Sequence, residues 1–171
     1  MNISRPFLSL QNRKMLYYSL IHPHLLYGNL LWGFARKVHL HKLIVLQKKA
    51  IRIICDAKYN AHTPPLYSKL LIPKLEYMYS IQLCQFIFLH MRHLLPQPIN
   101  SIFRINASVY NTNTRQRLDI HQFPITCDTV FRSFIRKGPE IWASLPEHIK
   151  DAVSVKSFGS QIKKHFISLY T

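Results

Sequence analysis

The stretch HLHKLIVLQKKAIRIICD, residues 39 to 56, repeats its apolar residues at the spacing of an α-helix. At about 100° per residue, Leu40, Leu43, Ile44, Ala50, Ile51 and Ile54 fall within an arc of about 120°. Lys42, Lys48, Lys49 and Arg52 gather on the opposite side, also within about 120°. One face is therefore suited to a core and the other to a polyanion.

Neighbouring segments extend the helical pattern in both directions. Ser9 is placed to cap a helix through LQNRKMLYYSLIH, which Pro23 is expected to end or bend. Gly28 and Gly33 punctuate the passage to the central helix. On its far side, Thr63 before Pro64 and Pro65 reads as an N-cap with first-turn prolines for LYSKLLI, stopped by Pro73. Residues 74 to 93, KLEYMYSIQLCQFIFLHMRH, are apolar around most of the circumference and predict the most buried helix. From Leu95 to Phe123 the pattern weakens under Pro96, Pro98 and a run of Asn, Ser and Thr, with a strand expected in SIFRINASVY. Short helical pieces are expected over Thr129 to Lys137 and Pro139 to Leu145, broken at Gly138-Pro139. In the final segment Phe158, Ile162, Phe166 and Leu169 recur at helical intervals. The expected fold is mostly α. A small helical bundle spans residues 10–95, an irregular connector 96–128, and a less regular basic tail with short helices 129–171.

Charge narrows the partner class. In 171 residues, 23 Lys and Arg face seven Asp and Glu, a formal net charge of +16 with a pI near 10.1. Such an excess attracts polyanions, with nucleic acid the first candidate. The face of Lys42, Lys48, Lys49 and Arg52 can follow a phosphate backbone, each contact releasing counterions. Tyr59, Tyr67 and Tyr110 are the aromatic residues considered for stacking on bases. No window approaches the ~18 apolar residues of a membrane span, and no signal peptide is recognisable. The chain reads as intracellular, nuclear or cytoplasmic, without a membrane partner and not secreted.

Catalytic and metal-binding patterns are weak. Two-metal phosphoryl transfer needs clustered carboxylates, and no two of the seven acids are adjacent. Only Glu140, Glu147 and Asp151 share a short region, where cap and surface roles are the ordinary ones. His22/His24 and His39/His41 form H-x-H pairs, and Cys84, His90 and His93 can share a helix face. None has the spacing of a zinc site. Cys55, Cys84 and Cys127 are too few and too scattered for a disulfide framework. No catalytic residue, metal site or cofactor is assigned.

Several segments, in order, carry a family resemblance. LYYSLIHPHLLYGNLLWG (16–33), LIVLQKKAIRII (43–54), AHTPPLYSKLLIPKL (61–75), YNTNTR (110–115) and GPEIWASLPEHIK (138–150) are followed by the S-x-x-S-F of Ser154 to Phe158. Together they resemble the C-terminal part of LINE-type, non-LTR retrotransposon reverse transcriptases of the jockey and chicken-repeat kind. The resemblance implies a thumb and post-thumb tail, downstream of a palm whose paired aspartates carry catalysis. This chain has no Asp-Asp. A thumb grips template–primer nucleic acid, so the implied partner is RNA or an RNA–DNA or DNA duplex, with the upstream palm and fingers beside it. Carried onto this sequence, the duplex-facing residues are Lys42, Lys48, Lys49 and Arg52, with Arg36 and Lys37 as neighbours. Arg115 and Arg117 are further contacts. Ala143 stands where the family often has Asn, and Gly159 where Lys is usual. Gly159 is expected to weaken the last helix by about 1 kcal/mol relative to Ala, as in a decaying copy. Two alternatives stay open: a translated remnant without selected function, and a thumb subunit serving a separate palm.

Overall fold

The computed structural model describes residues 7–111, 115, 117, 119–122, 124 and 133–169. It is mostly helical, and among the described residues the extended pairing is a single antiparallel bridge between Ile105 and Ile120. The chain divides into two compact units, one of residues up to Tyr79 together with those from Lys163, the other of Ser80–Ile162.

The first unit begins with α1 (Leu10–Leu16), whose first turn is capped by Ser9 accepting from the Asn12 amide at 3.3 Å. Pro23 does not end this helix. The chain widens into a π-helical turn over Tyr17–Ile21 and continues as α2 (His22–Leu26), with Pro23 in its first turn. The His22 amide reaches back to the Tyr17 carbonyl, the longer step of a π turn. Proline is tolerated in a first helical turn, where its missing N–H leaves no bond unmade. The extra residue thus lets the chain pass through a residue that ordinarily breaks it. Gly28 then adopts φ +61°, a left-handed conformation natural to glycine, before α3 (Asn29–Trp32). Gly33 is right-handed, but a Cβ there would lie 2.8 Å from the Tyr79 ring.

α4 (Lys37–Ile54) is the central helix, followed by α5 (Pro64–Leu70) and α6 (Leu75–Met91). Leu40, Ala50, Ile51 and Ile54 of the expected apolar stripe are buried, and Leu43 and Ile44 are half-buried. Ala50, Ile51 and Ile54 pack with Tyr17, Tyr67, Leu70 and Ile72, while Leu43 and Ile44 pack against Leu25, Leu75 and Met78. Gln47 lies at the centre of that stripe and is 2% exposed. Its Nε2 donates to the Tyr17 hydroxyl (3.0 Å) and the Pro73 carbonyl (3.1 Å). Its Oε1 accepts from the Tyr67 hydroxyl (3.0 Å) and the Leu75 amide (2.9 Å). Arg13, also buried, donates to the Ile53 carbonyl at 2.9 Å, satisfying a carbonyl of the last turn of α4. Thr63 stands at the N-cap position of α5, but its side chain makes no capping bond. α5 ends at Leu71, with φ 54°, ahead of Pro73. Tyr17, Leu16 and Ile21 of the first helix are packed or partly packed, leaving Leu20 exposed.

In the second unit α6 is buried on most sides, as its composition predicts: Ile81, Leu83, Cys84, Ile87, Phe88 and His90 are all covered. Helices α7 (Gln97–Asn100) and α8 (Asn106–Val109) follow. The strand expected in SIFRINASVY is replaced by the Ile105–Ile120 bridge and α8, where the Ser108 amide bonds back to the Ile105 carbonyl at 2.9 Å and the Tyr110 amide to the Asn106 carbonyl at 2.8 Å. Gly138-Pro139 does not break the chain either; one helix, α9 (Phe134–Ala143), runs through both. Residues 129–132 of that expectation, and Cys127, lie outside the described residues. A Cβ at Gly138 would come 2.9 Å from Ile87 and 3.5 Å from Phe103, so glycine here permits the helix to approach closely. After α10 (Glu147–Lys150), α11 (Val155–Ser168) buries Phe158 and Ile162 in this unit. Phe158 stacks on Phe88 with centroids 4.3 Å apart and an interplanar angle of 14°. Gly159 leaves α11 intact and lies against Gln85, whose amide would be 2.9 Å from an added Cβ. Farther along α11, in the first unit, Phe166 is buried but Leu169 is 57% exposed, so the apolar stripe stops short of its expected end.

Candidate nucleic-acid interface

The basic face of α4 is built by the same periodicity that buries its opposite side. Burial of Leu40, Ala50, Ile51 and Ile54 leaves Lys42, Lys48 and Lys49 exposed. Arg52 is half-buried, and its Nε donates to the Ala61 carbonyl at 2.9 Å. That bond holds the guanidinium against the loop between α4 and α5. Arg36 is exposed at the start of α4, where its carbonyl accepts from the His39 and Leu40 amides. Lys37 is exposed and pairs with Glu76 at 3.3 Å. An exposed pair of this kind contributes at most about 1 kcal/mol.

These six residues share one unit, whereas Arg115 and Arg117 belong to the second. Both are exposed there, and the Arg117 carbonyl accepts from the Ala107 amide at 2.9 Å. Of the aromatic candidates, Tyr59 and Tyr110 are exposed, at 82% and 54%. Tyr67 is 1% exposed and engaged with Gln47, so it is a core residue and not a stacking platform.

A concavity of about 390 Å³ opens at one edge of this basic face. Lys48 and Arg52 of α4 line it with Lys74, Glu76 and the loop residues Asn60 and His62. Lys74 was not among the residues expected from sequence. It precedes α6, more than twenty positions from Lys48, so no local period links the two. Burial lowers the Lys74 ammonium below its ordinary value; Glu76 opposes this and Lys48 adds to it. Two like charges therefore face a common space.

The histidines and acids take other roles. His22 packs against Tyr18 at 5.0 Å and Tyr17 at 5.9 Å, and Lys163 lies 5.4 Å over the Tyr18 ring. Burial and Lys163 both hold the His22 imidazole below its ordinary value. His90, bonded to Asn100 at 2.7 Å, is lowered chiefly by burial, against the Asn100 bond and with His93. Both are harder to protonate when folded than in the unfolded chain, where the ordinary value is about 6.5. Their contribution to stability is full above about pH 6.5 and is lost as pH falls through their lower folded values. Urea denaturation is expected to show stability declining from about pH 6.5 downward, less steeply in a His22→Gln, His90→Gln variant. Equal pH dependence of the two proteins would contradict this assignment.

Glu140 pairs with Lys137 at 2.9 Å and Glu147 with Lys150 at 2.9 Å. Glu147 and Asp151 line a separate cavity of about 940 Å³ in the second unit with Asp119, Arg92 and Lys150, while Glu140 does not. Among the described residues, no group of three or more His, Cys, Asp or Glu is placed to hold a metal ion. Cys55 is half-buried, and burial pushes the Cys84 thiol up to about 12. No helix among the described residues is long and apolar enough to cross a membrane.

Comparison with known proteins gives two partial similarities. The chain is 35% identical over 72 residues to the RNA-directed DNA polymerase from mobile element jockey of Drosophila funebris, covering 42% of this chain and 8% of that protein. It is 38% identical over 68 residues to the jockey RNA-directed DNA polymerase of Drosophila melanogaster, covering 40% of this chain and 7% of that protein. No family model matches the chain. No solved structure matches it. The chain thus carries a region related to a non-LTR retrotransposon reverse transcriptase, and spans less than a tenth of the length of these relatives.

Proposed function

We propose that the chain is a C-terminal, thumb-and-tail portion of a non-LTR retrotransposon RNA-directed DNA polymerase. In this reading it is non-catalytic by itself and holds template–primer nucleic acid through the basic face of α4. The observation that carries the proposal is the division of α4 into a buried apolar stripe and an exposed row of Lys42, Lys48 and Lys49 beside Arg52. The +16 charge and the similarity to the jockey polymerases support it. Lysine and arginine side chains on a rigid helix track a phosphate backbone without reading sequence. Arg36 and Lys37 extend the row, and Arg115 and Arg117 are secondary contacts. Catalysis would belong to a palm bearing paired aspartates, which is the proposed protein partner.

The test is charge reversal. Lys48→Glu with Lys49→Glu is expected to weaken binding to an RNA–DNA duplex by about tenfold or more, since each lost phosphate contact also returns counterions. Fluorescence anisotropy at fixed salt measures it, with circular dichroism confirming the helix content. Unchanged affinity would remove α4 from the interface. DNA synthesis by the isolated chain would overturn the non-catalytic reading.

A further inference from the structure

We infer that the 390 Å³ concavity at the edge of α4 is a seat for a terminal phosphate of a nucleic-acid strand, held by Lys48, Arg52 and Lys74. This rests on the nucleic-acid reading above and adds to it a defined subsite and a third cation from outside α4.

Charge selects the ligand. Three cations and one carboxylate line the space, and that carboxylate, Glu76, already engages Lys37 at 3.3 Å. The surplus of two positive charges matches a phosphate monoester, which carries about −1.5 to −2 at neutral pH. A diester linkage carries about half of that. Burial is the chief cause that lowers the Lys74 ammonium, and repulsion from Lys48, which lines the same concavity, adds to it. A dianion between them converts that repulsion into two charge-assisted hydrogen bonds.

The walls are preorganised for this. Arg52 is anchored through Nε to the Ala61 carbonyl at 2.9 Å, which leaves its two Nη groups for an oxyanion. A guanidinium held in one orientation loses little freedom on binding. Two other polar residues of the lining, Gln47 and Tyr67, are committed within the protein. Gln47 has both amide hydrogens and both oxygen lone pairs engaged within the protein, and Tyr67 donates its hydroxyl to Gln47.

Short RNA strands carrying a 5′-phosphate, a 3′-phosphate or neither separate this subsite from the general basic face. At least one phosphorylated strand is expected to bind about tenfold tighter than the unphosphorylated one. Lys74→Gln is expected to abolish that difference, because Lys74 supplies the cation from outside α4 that closes the seat. Arg52→Lys serves as the second variant and is expected to lose most of the difference, since an ammonium cannot reproduce the anchored fork. Excess inorganic phosphate should erase the preference, against chloride at matched ionic strength. Equal affinity of all three strands, a preference that survives Lys74→Gln in the folded protein, or one that inorganic phosphate does not erase overturns the seat and leaves the basic face standing. Failure of every strand to bind overturns both.

Discussion

Replacing Gln47 with leucine is expected to destabilise the protein by about 4 kcal/mol, and with alanine by about 5 kcal/mol. Leucine restores the volume, so its effect isolates the hydrogen bonds. The Leu75 amide can only donate and the Pro73 carbonyl can only accept, which fixes the orientation of the Gln47 side-chain amide between them. Its remaining valences then meet two tyrosine hydroxyls whose side chains are 0% and 1% exposed. Without Gln47, four buried polar groups lose a partner, each costing about 1–3 kcal/mol where no water replaces it. Burial already pushes the Tyr17 phenol up to about 12, against the Gln47 bond, so it stays a neutral hydroxyl able to accept. Urea denaturation of Gln47→Leu is the measurement. A loss below about 1 kcal/mol at unchanged m-value would mean that the network is not what joins α4 to its neighbours.

The second large effect is expected in the other unit. Phe158→Ala should cost about 4 kcal/mol, in the range for emptying a fully buried aromatic site. Phe158 is 0% exposed, stacks on Phe88 at 4.3 Å and has Trp142 at 5.9 Å. The substitution removes the ring contacts and leaves a void between side chains that α6, α9 and α11 hold in place. Phe158→Leu keeps part of the volume and should cost about half as much. Hydrogen exchange at the amides of α11 reads the effect locally, and protection unchanged by Phe158→Ala would contradict the packing described.

How much of this was legible depends on the range of the interactions involved. The helix α4 and its two faces follow from a 3.6-residue period carried by contiguous residues, and so they could be read directly. Gln47 was overlooked although a polar residue at the centre of an apolar arc is itself a signal. Its partners come from positions 17, 67, 73 and 75, which no local pattern connects. Lys74 escaped notice for the same reason. Pro23 and the Gly138-Pro139 pair carry the local signal of a bend or break, because proline lacks an N–H and glycine lacks a side chain. In the structure a π-helical turn accommodates the first, and close packing against Ile87 and Phe103 gives a reason for Gly138. Both compensations are tertiary or need a rare backbone step. Gly159 sits beside Gln85 in an unbroken helix, a contact that its low helix propensity does not reveal. Between Leu95 and Phe123 the period is weak, and the described residues there form the short helices α7 and α8 and the bridge Ile105–Ile120.

The central claim is that the face of Lys42, Lys48, Lys49 and Arg52 binds a nucleic-acid backbone. The salt dependence of binding to an RNA–DNA duplex tests it most directly. Four phosphate contacts predict a slope of about −3.5 in a plot of log K against log salt, falling to about −2 when Lys48 and Lys49 are both changed to glutamine. A slope near zero, or one that the double substitution leaves unchanged, would contradict the account.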